Sequence, residues 1–516
     1  MKRIYFIILL ILLNFVPSVY ATAASFDGSS WWNTDYNTTE GTEFWVTFMR
    51  NSGSSGQDNQ DMSLYVYATA RQDAIVTITN PRIPDSPLTF NVRANKQDSC
   101  LIPNSWAYLE APQIVNNFGI NVKSNVPISL YATNQHSSGK YDATNILPTT
   151  ALSGEYVVQT YHIDQYATEF AIVATESQDV RIEIHKTTID IDDYNLNGKL
   201  TVLSTADETI ERSMQAGQTY LYRSATEDLG GSSNRATSLA GTKICSSKPL
   251  ALFVGGQSAK IPFVDPENHI FSQVYPIDKW GKTFIITPTY GIVYDYVLFT
   301  ACKNNTQIKR NGITIATINA FESYQDTIES IVSYSSAMDV ILGKEPSFTP
   351  SAVVYSTSQI AECFLYATGY NANHPLVEDV ASESFVTKYG APVLTPIVPQ
   401  ELAMRKNIFA TFTKTNTHLK HYVNIVTPTS EVGTMFIDGM NIASYFHPID
   451  GNDAWSFAIK EVSGVAHTIE NRGANQNSTF TARVYGLGNS SSSRESYAYA
   501  AGSRTNRSVD LLIEDR

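Results

Sequence analysis

The sequence predicts an all-β fold of about four tandem repeats of short antiparallel strands, arranged as a propeller-like closed array in preference to tandem β-sandwiches. Three observations carry this. Apolar and polar residues alternate along many short segments, which is the period of a strand with one face in a core. No segment holds a long, capped 3.6-residue pattern, and the best helical candidate, residues 376–380, is too brief to form a helix unaided. Tyr and Phe number 29 and 23, while charged residues make up only 16% against roughly 25% in an average globular chain. That balance favours sheet.

Residues 1–21 are expected to be an export signal. Lys2 and Arg3 form a basic region, residues 4–13 are apolar, and Ala21 or Ala23 ends a small-residue cleavage site. The apolar run is too short to span a bilayer, and no later stretch of about 18 uncharged apolar residues follows. No cysteine follows the cleavage sites to carry a lipid, so the mature chain is expected to be soluble outside the cytoplasm. A lead segment, 22–40, carries Trp31, Trp32 and Tyr36, suited either to stacking on a ligand or to packing on the first repeat.

Four units then follow, at 41–150, 151–277, 278–386 and 387–489, with a tail at 490–516. Residues 62–78 match residues 168–184, each a strand, a short polar turn and a strand; weaker copies run through 294–308 and 421–437. Before each copy lies a strand opened by a glycine: Gly41, Gly154, Gly281 and, in degraded form, Gly390. After each lies a closing strand, at 127–133, 249–254, 363–368 and 482–486. Pro127 and Pro249 are placed to start the first two of these, where a missing N–H costs no ladder bond. Residues 52–61, 489–494 and the Gly255-Gly256 pair are expected to be loops or turns.

The formal charge is −13, from 36 basic and 49 acidic residues, and loss of Lys2 and Arg3 makes it more negative. Nucleic acid, which needs a basic footprint, is excluded as a partner. Cys100, Cys245, Cys302 and Cys363 lack C-x-x-C spacing; they are compatible with up to two disulfides or with buried free thiols. The most specific metal-like pattern is Asp193, Asn195 and Asn197 followed by Gly198, the first half of a calcium loop. Ser204 stands where the bidentate acid is wanted, so an Asn-Gly hairpin between strands at 181–184 and 199–203 is preferred, and no cofactor is expected apart from this calcium candidate.

Neither a nucleophile elbow, a His-Glu-x-x-His helix nor a phosphate-binding glycine loop occurs. His418 and His421, three apart on a strand, point to opposite faces, which is poor for a shared metal. Residues 265–269 gather Asp265, Glu267 and His269 in one polar loop, read as solvated. The expectation is therefore a binding protein and not an enzyme. A glycan-directed enzyme with carboxylates from different repeats, or a surface-layer component, are the alternatives.

With the repeats aligned, the chain resembles the N-terminal domain family of immunoglobulin Fc-binding proteins, which occurs in mucus glycoproteins and in exported bacterial proteins. The residues that carry the resemblance are Gly41-Thr-Glu-Phe-Trp-Val-Thr-Phe48, the strand pairs ending in Ala-Thr, Ser246-Ser-Lys-Pro249, and Val264-Asp-Pro266 leading to Val274-Tyr-Pro-Ile-Asp-Lys-Trp-Gly281. It implies extracellular or cell-surface recognition of a glycoprotein, glycan or protein, with mucin and immunoglobulin Fc as examples, and it carries no ligand residues over to this sequence.

Overall fold

The computed structural model describes residues 38–51, 61–109, 111–161, 167–185, 187–188, 198–202, 208–224, 238–261, 267–333, 347–368, 390–412, 419–475, 478–488 and 495–506. The fold is all-β, and one helical turn, Asn104–Ala107, is the α-helix among these residues.

The first set of strands is β1 (Gly41–Val46), β2 (Met62–Ala70), β3 (Ala74–Thr79), β4 (Leu88–Val92), β5 (Lys96–Ile102), β6 (Val115–Asn116), β7 (Ile120–His136) and β8 (Tyr141–Ile146). The long β7 organises the sheet. Its first half pairs with β1 and β3, and its second half with β2 and β8, all antiparallel. Gly41 faces Ile128 while Glu43 faces Lys123, so residues 124–127 bulge out where the strand changes partners.

The second set is β9 (Ser153–Val157), β10 (Thr168–Ala174), β11 (Gln178–Ile184), β12 (Thr187–Thr188), β13 (Gly198–Val202), β14 (Glu208–Met214), β15 (Thr219–Arg223), β16 (Lys243–Ala259) and β17 (Asn268–Gln273). The third is β18 (Gly281–Ile286), β19 (Tyr294–Ala301), β20 (Thr306–Arg310), β21 (Ile313–Ile318), β22 (Ser323–Glu329), β23 (Ile331–Ser333), β24 (Ser347–Thr349), β25 (Val353–Ala367) and β26 (Val393–Pro396). Both reproduce the first connectivity around a long strand. Ser153 faces Leu250 and Glu155 faces Cys245; Gly281 faces Ala361 and Thr283 faces Ser356. In all three sets two residues oppose five, so the same bulge recurs.

The remaining strands are β27 (Lys406–Phe409), β28 (Leu419–Pro428), β29 (Met435–Ile437), β30 (Met440–Asn441), β31 (Phe446–Ile449), β32 (Asn452–Val462), β33 (His467–Asn471), β34 (Thr481–Gly488) and β35 (Ser496–Ala500). Here two strands do the work of one. β33 pairs with β27 and β29, while β34 pairs with β28 and β35. β35 lies within the span read as a tail.

Several sequence expectations shift at this level. Pro127 and Pro249 do not start strands; they sit inside β7 and β16, in the bulge, where the missing N–H is again harmless. Gly255-Gly256 is no turn but the interior of β16, because β17 packs so close that a Cβ on Gly255 would stand 1.9 Å from the Ile270 carbonyl oxygen. The strand after Gly390 is β26, paired with β25, so it ends the third set instead of opening a fourth. β13 does not pair with β11 across an Asn-Gly turn: it pairs with β12 and leaves its set to extend β22. Likewise β6 extends β15 of the next set. Strand register equates Ala70, facing Ile128, with Ala174, facing Leu250, two residues away from the sequence match. A slip of two keeps every side chain on its own face, so alternation alone cannot detect it.

The core explains why so many strands are buried on both faces. Along β10, Phe170, Ile172 and Ala174 enter one apolar cluster with Tyr294, Tyr296 and Leu298, while Ala171 and Val173 enter another with Val46 and Leu130. Tyr422, Tyr485 and Leu487 join the β25 side chains Cys363 and Leu365. Tyr67, Tyr131 and Tyr141 join Phe412, Tyr497 and Tyr499, which links the last strands back to the first. Each sheet thus shares its two faces between neighbours, and the array closes. Segments near the first and last described residues fasten it: the Thr39 N–H donates to the Ser503 carbonyl at 2.9 Å, and the Ser503 N–H to Thr39 Oγ1 at 3.1 Å.

Candidate binding surface

At the middle of the ring β8 packs beside β17, β17 beside β26, β26 beside β35, and β35 beside β8. All four strands are fully buried along their length. Edge strands carry N–H groups with no sheet partner on one side, and burial makes an acceptor obligatory. Asp142 supplies it. Its Oδ1 accepts from the Ala143 and Ala498 N–H groups at 2.8 and 3.2 Å, its Oδ2 from Phe271 at 3.0 Å, and the Leu394 N–H also bonds the carboxyl. One carboxyl therefore serves all four strands. Burial pushes its pKa well above the usual carboxylate range, opposed by these four donors.

One end of this axis is tied by Asn268. Its Nδ2 donates to the carbonyls of Tyr141, Pro392 and Ser496, and its Oδ1 accepts from the Tyr141 N–H. The starts of the four central strands consequently meet at one end. Around it lie Lys140, 2.7 Å from Glu267, and His269, whose ring contacts Asn134 at 3.1 Å and the Gly256 carbonyl at 3.0 Å. Burial lowers the His269 pKa to about 3, so the ring is neutral, donating through Nδ1 and accepting at Nε2. Glu169, 3.2 Å from Arg223, is pushed by burial up to about 7 against the Arg223 and Arg50 charges. These groups are consumed by one another, and they hold the ring together.

The outward side of the second set is different. β14, β11 and β16 frame an open groove of about 500 Å³ lined by Asp179, Arg181, Glu211, Arg212, Cys245 and Ser246. Alternation puts Val180, Ile182 and Ile210 in the core and leaves Asp179, Arg181 and Glu211 facing out. Ser246 and Ser247, which line the groove, fall in the stretch between Cys245 and Leu250 where the β9–β16 register shifts. Arg181 reaches Glu183 at 2.9 Å and Glu211 at 3.1 Å, with about half its side chain exposed. Such exposed pairs are worth little to the fold, so a partner can replace them at small cost. Ser213 Oγ donates to Asp179 at 2.7 Å. Burial raises the Cys245 thiol, with Lys243 opposing.

Of the residues singled out by sequence, Asp193, Asn195, Asn197, Trp31, Trp32, Tyr36, Asp265 and His418 lie outside the described residues, as do residues 52–60, 376–380 and 489–494. Glu267 and His269 are not in a solvated loop: His269 belongs to buried β17. His421 is buried against the Tyr497 hydroxyl at 2.9 Å. None of Cys100, Cys245, Cys302 and Cys363 is joined in a disulfide. Among the described residues no group of three His, Cys, Asp or Glu could hold a metal ion, and no helix is long and apolar enough to cross a membrane. Sequence reasoning missed Asp142, Asn268 and the groove arginines, which look like ordinary polar positions of a strand.

The family described as IgGFc binding protein matches residues 142–486, about two thirds of the chain. The chain belongs to this family. The IgGFc-binding match opens on axial Asp142 and closes inside β34, so it takes in the second and third sets and the groove. No curated protein matches the chain. Among solved structures, the viral chemokine binding protein R17 encoded by rodent gammaherpesvirus Peru is similar at 7% identity, covering 71% of this chain and 89% of that one. Its TM-score of 0.12 is too low to carry an argument.

Proposed function

We propose that this IgGFc-binding family member is exported and binds a protein or glycoprotein outside the cell, immunoglobulin Fc and mucin being the first candidates, through the outward face of β11, β14 and β16. Family membership supports a binding role. The observation that carries the location is Arg181 between Glu183 and Glu211 on a concave face whose charges the fold does not need. Arginine at the centre of a rigid concavity is a favoured anchor for a protein partner. The role needs neither catalysis nor a cofactor.

The test is surface-plasmon binding of the mature chain to immunoglobulin Fc and to mucin. Saturable binding to one of them, weakened about tenfold or more by Arg181→Glu, is the expected result. Undiminished binding by that variant would move the site elsewhere, and no binding to either ligand would remove both candidates.

A further inference from the structure

Three edge strands occupy the same place in three sheets. Strand order runs from β4 through β3, β7 and β2 to β5 in the first set, from β14 through β11, β16 and β10 to β15 in the second, and from β21 through β20, β25 and β19 to β22 in the third. β4, β14 and β21 are therefore equivalent outer edges. An edge offers a row of N–H and C=O groups to any strand that comes alongside, and native proteins block it with charge, proline or a short length. β4 is five residues long, and Pro87 stands directly before it. β14 carries Glu208, Glu211 and Arg212, and the Arg212 guanidinium caps the Glu211 carbonyl at 2.8 Å. β21 reads Ile313-Thr-Ile-Ala-Thr-Ile318, with neither charge nor proline. Its backbone pairs with β20 and, among the described residues, with no other strand. Ile313 is 71% exposed, the highest value for a large apolar side chain among the described residues.

We propose that β21 pairs antiparallel with β21 of a second copy of this chain, joining two third-set sheets into one across a two-fold axis. The strand reads almost the same in reverse, which is what selects this occupant. Turned end to end, it sets Ile313 against Ile318, Thr314 against Thr317 and Ile315 against Ala316 of the other copy. Side-chain direction agrees with that register. In the β20–β21 ladder Thr306 faces Ile318, Gln307 faces Thr317, Ile308 faces Ala316, and Lys309 faces Thr314. Ile308 and Ile318 enter the core, so Thr317 and, past the extra residue Ile315, Thr314 take the outward face. Arg310, opposite Ile313, reaches buried Asp326 at 3.0 Å, which puts Ile313 on the core side at the sheet's rim. Threonine thus meets threonine outside and isoleucine meets isoleucine inside, whereas a slip of one residue would mix the faces. Ile315 lies beside the axis, so both edges kink at the same point. No charge on β21 repels its copy, although the chain as a whole carries −13. Two-fold pairing uses up both edges and stops at the dimer. Six residues a side fall short of the about 20–30 of a stable interface, so the dimer is weak and concentration-dependent.

The test is sedimentation of the purified full chain over a concentration series reaching about 1 mM, where weak association becomes visible. The parent should move from monomer toward dimer as concentration rises. Two double variants locate the contact: Thr314→Lys with Thr317→Lys, and Thr314→Glu with Thr317→Glu. Either one alone sets like charges opposite each other across the axis and should weaken self-association about tenfold or more. An equimolar mixture of the two sets opposite charges together and should dimerise again. Both threonines are exposed, so circular dichroism of each variant should match the parent. A parent that stays monomeric throughout the series would overturn the proposal, as would growth into species larger than a dimer. A dimer that the charge variants leave undiminished, or a mixture that stays monomeric where the parent associates, would overturn it equally.

Discussion

Substituting Asp142 by Asn tests how far the ring depends on one side chain. The carboxyl accepts N–H groups from Ala143, Phe271, Leu394 and Ala498, one from each central strand. An amide keeps one acceptor oxygen and turns an NH2 toward donors, so about half of these contacts are lost. A buried unpaired N–H costs about 1–3 kcal/mol, which puts the loss at about 2–6 kcal/mol. Against a typical stability of about 5–15 kcal/mol that is a large fraction. Urea denaturation followed by intrinsic fluorescence, with circular dichroism to confirm retained sheet, reads the difference directly. A loss below about 1 kcal/mol would refute the reasoning, because the four N–H groups would then have found an acceptor elsewhere.

Three further outcomes follow from buried groups. Glu169 has a folded pKa of about 7 against an ordinary value of 4.5, so the folded chain holds this proton more tightly than the unfolded one. Its contribution is greatest below about pH 4.5 and declines as pH rises to about 7, so Glu169→Gln should flatten that part of a plot of denaturation midpoint against pH. Gly255→Ala drives a Cβ into the Ile270 carbonyl and should cost about 3 kcal/mol or more in the same denaturation assay. The control Gly312→Ala, in open space but at φ +82, should cost only about 1–2 kcal/mol. Alkylation of the denatured, unreduced chain should label all four cysteines, with buried Cys363 silent until unfolding.

Much of the fold is legible because a strand's period survives in sequence. The segments beginning at Met62, Thr168 and Tyr294 read as strands, and they are β2, β10 and β19. What sequence cannot show is which edge a strand meets. β6 and β13 are two and five residues long and pair with the following set, a choice made by tertiary proximity alone. Pro127 and Gly255 carry the usual signals of punctuation, yet both lie within long strands, one in a bulge and one under a close neighbour. Asp142 looks like any polar residue in an alternating run; only ring closure places three foreign N–H groups against it.

The most direct test of the binding account is hydrogen–deuterium exchange of the chain with and without immunoglobulin Fc at saturating concentration. Slower exchange concentrated in Gln178–Ile184 and Glu208–Met214, the strands that present Arg181 and Glu211, is the predicted footprint. Unchanged exchange in these strands, with protection confined to the other sets, would contradict it.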